Sequence, residues 1–158
     1  MNKLLIISIY LIVLISVPLF ETIVKNKIRR RKNKPYYIAN GNIRIDYVKN
    51  KGALLGIFSK NRKLILILTT IVLTLIITLS LYVLLFVKKN YLLKLGLLIT
   101  STGAFSNSLE RYIYKGVIDY FSFPKVIIKP LRNVVFNMAD MFIFFGTFII
   151  IVSLILGI

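Results

Sequence analysis

Four long apolar stretches decide what this chain can fold into. Leu4–Phe20 runs 17 residues without a charge, and Leu64–Val87 runs 24. Tyr91–Leu109 spans 19 residues with Lys94 as its one charge, and Val134–Ile158 spans 25 with Asp140 as its one charge. About 20 apolar residues cross a bilayer as a helix, so each stretch qualifies. The expected fold is an all-α membrane protein: one polytopic domain over residues 1–158, with transmembrane helices at about 4–24, 64–87, 91–109 and 134–157. The first stretch could pass for a signal peptide, because Asn2-Lys3 leads into it. It is followed by Glu21-Thr22-Ile23-Val24-Lys25, which offers no small-residue cleavage pattern, and it reads as a retained helix.

Composition narrows the chemistry. Cysteine, histidine and tryptophan are absent. Disulfides, Cys or His metal sites, a Cys nucleophile and a His general base are therefore excluded, and no metal or cofactor is expected. Lys and Arg number 22 against 5 acids, a net charge of +17. In so apolar a chain the anionic partner is membrane lipid rather than nucleic acid. Seven of the ten residues Lys25–Lys34 are basic, a juxtamembrane cluster suited to anionic headgroups. The cluster opens a loop over 25–63 that also holds Ile43, Ile45 and Tyr47 alternating with Asn42, Arg44 and Asp46. Asn40-Gly41 ahead of them tolerates positive φ, so a small β-hairpin is expected between helices one and two.

The five acids are Glu21, Asp46, Glu110, Asp119 and Asp140. An ionisable group in a membrane segment is costly and therefore a functional candidate. If helices three and four are antiparallel neighbours, Asp119 and Asp140 lie at the same membrane face and could meet. Two adjacent carboxylates tend to share one proton, leaving one base and one acid. That pair activates water for amide hydrolysis without metal, thiol or imidazole. The plainer alternatives are a solvated loop carboxylate at Asp119 and, at Asp140, a buried ion pair with Arg111 or Arg132. A Ser/Lys dyad has no evident partners in this chain.

Four blocks, in order, resemble the type II (lipoprotein) signal peptidases. That family carries an Asp four residues before a Lys after its first helix, where this chain has Glu21 and Lys25. Its Asn-x-Gly-Ala segment is matched by Asn50-Lys51-Gly52-Ala53, followed by Leu54-Leu55-Gly56. Its Gly-Gly-Ala-x-Gly-Asn-x-x-Asp-Arg run, then Gly-x-x-Asp, is matched by Thr102–Arg111 and Gly116–Asp119. Its Phe-Asn-x-Ala-Asp is matched residue for residue by Phe136–Asp140. The resemblance implies Asp119 and Asp140 as catalytic dyad, with Asn50, Gly52, Asn107, Arg111 and Asn137 lining the site. It places Glu21 and Lys25 near bound substrate. The implied reaction is cleavage before the lipid-modified cysteine of a diacylglyceryl-modified prolipoprotein, by a monomer in the bacterial cell membrane.

Departures from the pattern include Glu for Asp at Glu21 and Glu110, and Ser for Gly at Ser106. Each lengthened or added side chain shifts groups by about a bond length in a site that needs tight placement. The alternative reading is a catalytically idle paralogue, or another non-enzymatic membrane protein that binds lipoproteins or lipid. Orientation divides two arguments. Lys3, Lys88, Lys89 and Lys94 lie on the side of the termini and the other 18 basic residues on the opposite side, which the positive-inside rule would put in the cytoplasm. The resemblance implies the reverse: termini cytoplasmic, with the loop over 25–63 and the dyad at the outer face.

Overall fold

The computed structural model describes residues 3–30, 35–52 and 60–157. The described residues form four long helices: α1 (Lys3–Arg30), α2 (Arg62–Phe86), α3 (Tyr91–Tyr114) and α4 (Met138–Leu156). Three strands, β1 (Tyr36–Ile38), β2 (Ile43–Asn50) and β3 (Val117–Ser122), make one antiparallel sheet in the order β1-β2-β3. Part of the basic cluster, residues 31–34, and the motif segment from Ala53 to Ser59 lie outside the described residues.

Among the described residues, three helices, α1, α2 and α4, are long and apolar enough to cross a membrane. Their outward faces carry exposed aliphatic and aromatic side chains, among them Ile12, Leu19, Leu75, Phe148 and Leu154. A belt of this kind is stable against lipid and not against water. The fourth expected span, α3, is as long as the others but far more polar. The reason is its position: α3 packs against each of the other three helices. Its buried residues include Thr100, Ser101, Thr102, Ser106, Asn107 and Ser108. The hydroxyls of Thr100, Ser101 and Thr102 donate to the carbonyls of Gly96, Leu97 and Leu98 one turn back, so their polarity is satisfied within the helix.

Small residues let α3 and α4 approach closely. A Cβ at Gly96 would stand 2.8 Å from Ile150 Cγ1, and one at Gly146 would stand 2.6 Å from Thr100 N. Without a hydrophobic drive between helices in lipid, this close packing is what holds them together. At the far end Ser153 Oγ donates to Asn90 Oδ1 at 2.9 Å, tying α4 to the turn between α2 and α3.

The hairpin turns through Ala39, Asn40 and Gly41, all at positive φ, as Asn-Gly favours. Its second strand is extended by β3, which follows α3 in sequence. Asp119 thus lies in a strand, paired with Val48 of β2, where the sequence suggested a loop. Two further boundaries differ from expectation. The first helix continues to Arg30, carrying Glu21 and Lys25 on helical turns. Residues 134–137 are not helical, and Phe136 bridges to Phe121 through backbone hydrogen bonds of 2.7 and 3.0 Å. Asp140 therefore stands in the first turn of α4 rather than two turns inside it.

Candidate active site

The sheet, the end of α3 and the start of α4 converge on one polar cluster. Helix α3 ends at Tyr114, with Lys115 in the left-handed conformation and Gly116 pressed against β2. A Cβ at Gly116 would lie 2.9 Å from Asn50 O, so a glycine is needed for β3 to begin there. Three residues after Gly116, Asp119 is 4% exposed. The returning chain enters α4 through a capping box: Asn137 Oδ1 accepts from Asp140 N at 2.9 Å, and Asp140 Oδ2 accepts from Asn137 N at 3.1 Å.

Asn137, fully buried, joins the two carboxylates. Its Nδ2 donates to Asp119 Oδ1 at 2.7 Å, and its backbone N–H holds Asp140. The same Nδ2 donates to Asn107 Oδ1 at 3.1 Å, while Asn107 Nδ2 donates to Asp140 Oδ1 at 2.8 Å. From the sheet side, Asn50 Nδ2 donates to Asp119 Oδ2 at 3.1 Å. Asn50 Oδ1 accepts from Gly52 N at 2.9 Å, and Gly52 O accepts from Arg111 Nη1 at 2.7 Å. Arg111 therefore fixes the backbone beside Asn50 instead of pairing with Asp140, and Arg132 Nε donates to Val126 O. Burial, and then the neighbouring charge of Asp140, raise the Asp119 carboxyl to about 6, against the opposing pull of hydrogen bonds from Asn137 and Asn50.

Glu21 and Lys25, expected near bound substrate, are internal at 1% and 2% exposure. Lys25 Nζ lies 3.3 Å from Glu21 Oε2 and 2.9 Å from Glu110 Oε2. Each glutamate accepts a backbone N–H one residue before an aspartate: Glu110 Oε2 from Ile118 N at 3.1 Å, and Glu21 Oε1 from Ala139 N at 3.0 Å. Ser106 Oγ donates to Glu21 Oε2 at 2.5 Å. Glu21, Ser106 and Glu110, which depart from the family pattern, thus belong to one satisfied network. Tyr120 was not singled out by the sequence; its hydroxyl accepts from Met138 N at 3.2 Å, and burial pushes its ionisation above the ordinary range. The available signal was its place beside Asp119.

Fold and site together define a class: a multi-pass membrane protein that holds two aspartates on one shared asparagine at one end of its bundle. Comparison with known proteins is more particular. Residues 7–156 match the family model described as signal peptidase (SPase) II. The lipoprotein signal peptidase of Wigglesworthia glossinidia brevipalpis is 36% identical over 115 residues, covering 69% of each chain. That of Clostridium acetobutylicum is 33% identical over 114 residues, covering 71% of this chain and 70% of its own. A bacterial membrane enzyme solved by the in meso method superposes with a TM-score of 0.79 at 21% identity, covering 94% of this chain and 88% of its own. The chain belongs to the signal peptidase II family.

Proposed function

We propose that this peptidase removes the signal peptide of prolipoproteins, cleaving before the diacylglyceryl-modified cysteine, with Asp119 and Asp140 as its catalytic pair. The observation that carries the reading is the Asn137 bridge, which holds one oxygen of each carboxylate while leaving Asp119 with a raised affinity for a proton. The pair works with a single proton. The ionised member removes a proton from water as its oxygen attacks the scissile carbonyl. The protonated member donates to the carbonyl oxygen, giving a neutral tetrahedral diol. Return of a proton to the departing nitrogen then breaks the C–N bond. An acylated substrate displaces water from the site, and that desolvation further favours the shared proton.

Asn50, Asn107 and Asn137 orient the carboxylates, and Arg111 with Gly52 shapes the strand end that faces substrate. The protein acts as a monomer in the bacterial cell membrane, with both termini cytoplasmic and the pair near the outer face, where exported prolipoproteins arrive. Lys27, Arg29 and Arg30 in the last turn of α1 rest on anionic lipid, at about 1 kcal/mol per charge. The test is cleavage of a diacylglyceryl-modified prolipoprotein by the purified protein and by its Asp119→Asn and Asp140→Asn variants. Processing by the wild type alone supports the reading. Processing by either variant at near wild-type rate refutes it.

A further inference from the structure

The α4 N-terminus shows how the site is held. The first N–H groups of a helix have no partner inside it. Here Met138 N donates to Tyr120 Oη, Asp140 N to Asn137 Oδ1, and Ala139 N to Glu21 Oε1, a carboxylate supplied from α1. Ala139 is fully buried and immediately precedes Asp140. Whatever places the Glu21 carboxylate therefore places the turn that carries Asp140.

Two groups besides the Ala139 amide bind that carboxylate. Lys25 is four residues along the same helix, and Ser106 comes from α3. The serine contact is 2.5 Å, charge-assisted, and between residues that are 1% and 2% exposed. In the family pattern stated above, these two positions hold the shorter Asp and a glycine with no side chain. An aspartate here would withdraw its carboxylate by about one bond length, roughly 1.5 Å. It could no longer span from α1 to both Ser106 Oγ and Ala139 N. A glycine opposite Glu21 would leave a buried carboxylate short of one donor.

We propose that Glu21 and Ser106 are a matched pair of positioning residues, a carboxylate–hydroxyl contact between α1 and α3 that sets the first turn of α4 and hence Asp140. Each is suited to the other and not to its counterpart in the family pattern. The inference rests on the reading of Asp119 and Asp140 as the catalytic pair. Its consequence is specific: Glu21→Asp and Ser106→Gly are each harmful, while the two together restore a working arrangement.

The experiment is a double-mutant cycle on the full-length protein, with kcat and KM measured on a diacylglyceryl-modified prolipoprotein. Amide exchange of the segment holding Ala139 is followed in parallel. Loss of one hydrogen bond to a charged group corresponds to about a tenfold to hundredfold fall in kcat for each single variant. KM should stay within about threefold, since neither residue meets substrate. Exchange at Ala139 should speed up in both singles. The double should recover most of the kcat and the protection. Ser106→Ala, which keeps most of the bulk, should resemble Ser106→Gly and so separate the hydroxyl from its volume. Multiplying losses in the double, or unchanged Ala139 exchange in both singles, would overturn the pairing. A wild type that cleaves no prolipoprotein would instead sink the proposed function, and the exchange cycle would still decide the pairing.

Discussion

Replacing Asn137 with alanine tests the dyad through its proton rather than through its nucleophile. The substitution removes the bond to Asp119 Oδ1, the cap on Asp140 N and the donor to Asn107 Oδ1. A lost helix cap costs about 1 kcal/mol, and a lost bond to a buried carboxylate about 1.5–3 kcal/mol. Total destabilisation should reach about 3–5 kcal/mol, which lowers Tm by about 10 °C. The pH effect has a definite sign. The Asn137 bond favours ionised Asp119, so its loss raises a carboxyl that already titrates at about 6. A bond of that strength moves it upward by about one pH unit or more. A dyad that needs one proton loses activity as that proton leaves. The kcat/KM profile, which reports the free enzyme, should therefore have its alkaline limb near 6 in the wild type and distinctly higher in Asn137→Ala. Peak activity should fall about a hundredfold, the usual result of misplacing reacting groups by about an ångström. Asn50→Ala, which loses the 3.1 Å bond to Asp119 Oδ2 but no helix cap, should shift the limb the same way by less. A limb that stays put or moves down in both variants refutes the argument.

Other outcomes follow from the same geometry. Asp119 carries a raised pKa, so its contribution to stability is full below about 3.8 and lost as pH rises through about 6. Asp119→Asn should accordingly be inactive yet about 1 kcal/mol more stable than wild type at pH 7.5, after one accepted hydrogen bond is lost, with the gain shrinking towards pH 4; thermal melts at the two pH values check it. Lys25→Met leaves two buried glutamates without their shared cation and should destabilise by about 3–5 kcal/mol, read as protease sensitivity and lost Tm. Gly146→Leu would drive a side chain into Thr100 and Gly96, and should separate α3 from α4 and abolish both folding yield and cleavage. For orientation, single cysteines at Asn40 and Lys89 should differ in intact cells, with a membrane-impermeant thiol reagent labelling position 40 only; the opposite pattern overturns the placement of the pair at the outer face.

Much of this was legible from composition and order. Long uncharged runs identify spanning helices because no other structure satisfies its backbone inside a bilayer. Asn40-Gly41 identified a hairpin because the turn demands positive φ. The rarity of acids drew attention to Asp119 and Asp140, and the family pattern brought in the asparagines between them. Hidden from the sequence was the third strand. Val117–Ser122 is short, and its pairing with β2 joins positions some 70 residues apart. Also hidden was the destination of the buried charges. Glu21, Lys25, Ser106 and Glu110 meet only when α1 and α3 pack, and no local periodicity records that contact. The departures therefore read as defects along the chain and as mutual partners in space.

The polar interior helix has a consequence for how the protein enters the membrane. Partition into lipid is favourable for α1, α2 and α4 one at a time, but α3 presents threonine, serine, asparagine and glutamate around much of its circumference. Such a segment gains little by meeting hydrocarbon alone. The connection from α2 is four residues, from Val87, which closes the preceding helix, to Asn90, which caps the next. Insertion should therefore proceed with α2 and α3 as a paired hairpin, α2 carrying its partner in. The hairpin would stay unsettled until α4 leaves the ribosome and covers Gly96 and Thr100. A nascent chain halted before Met138 should remain extractable or be degraded, and one halted after Leu156 should resist both.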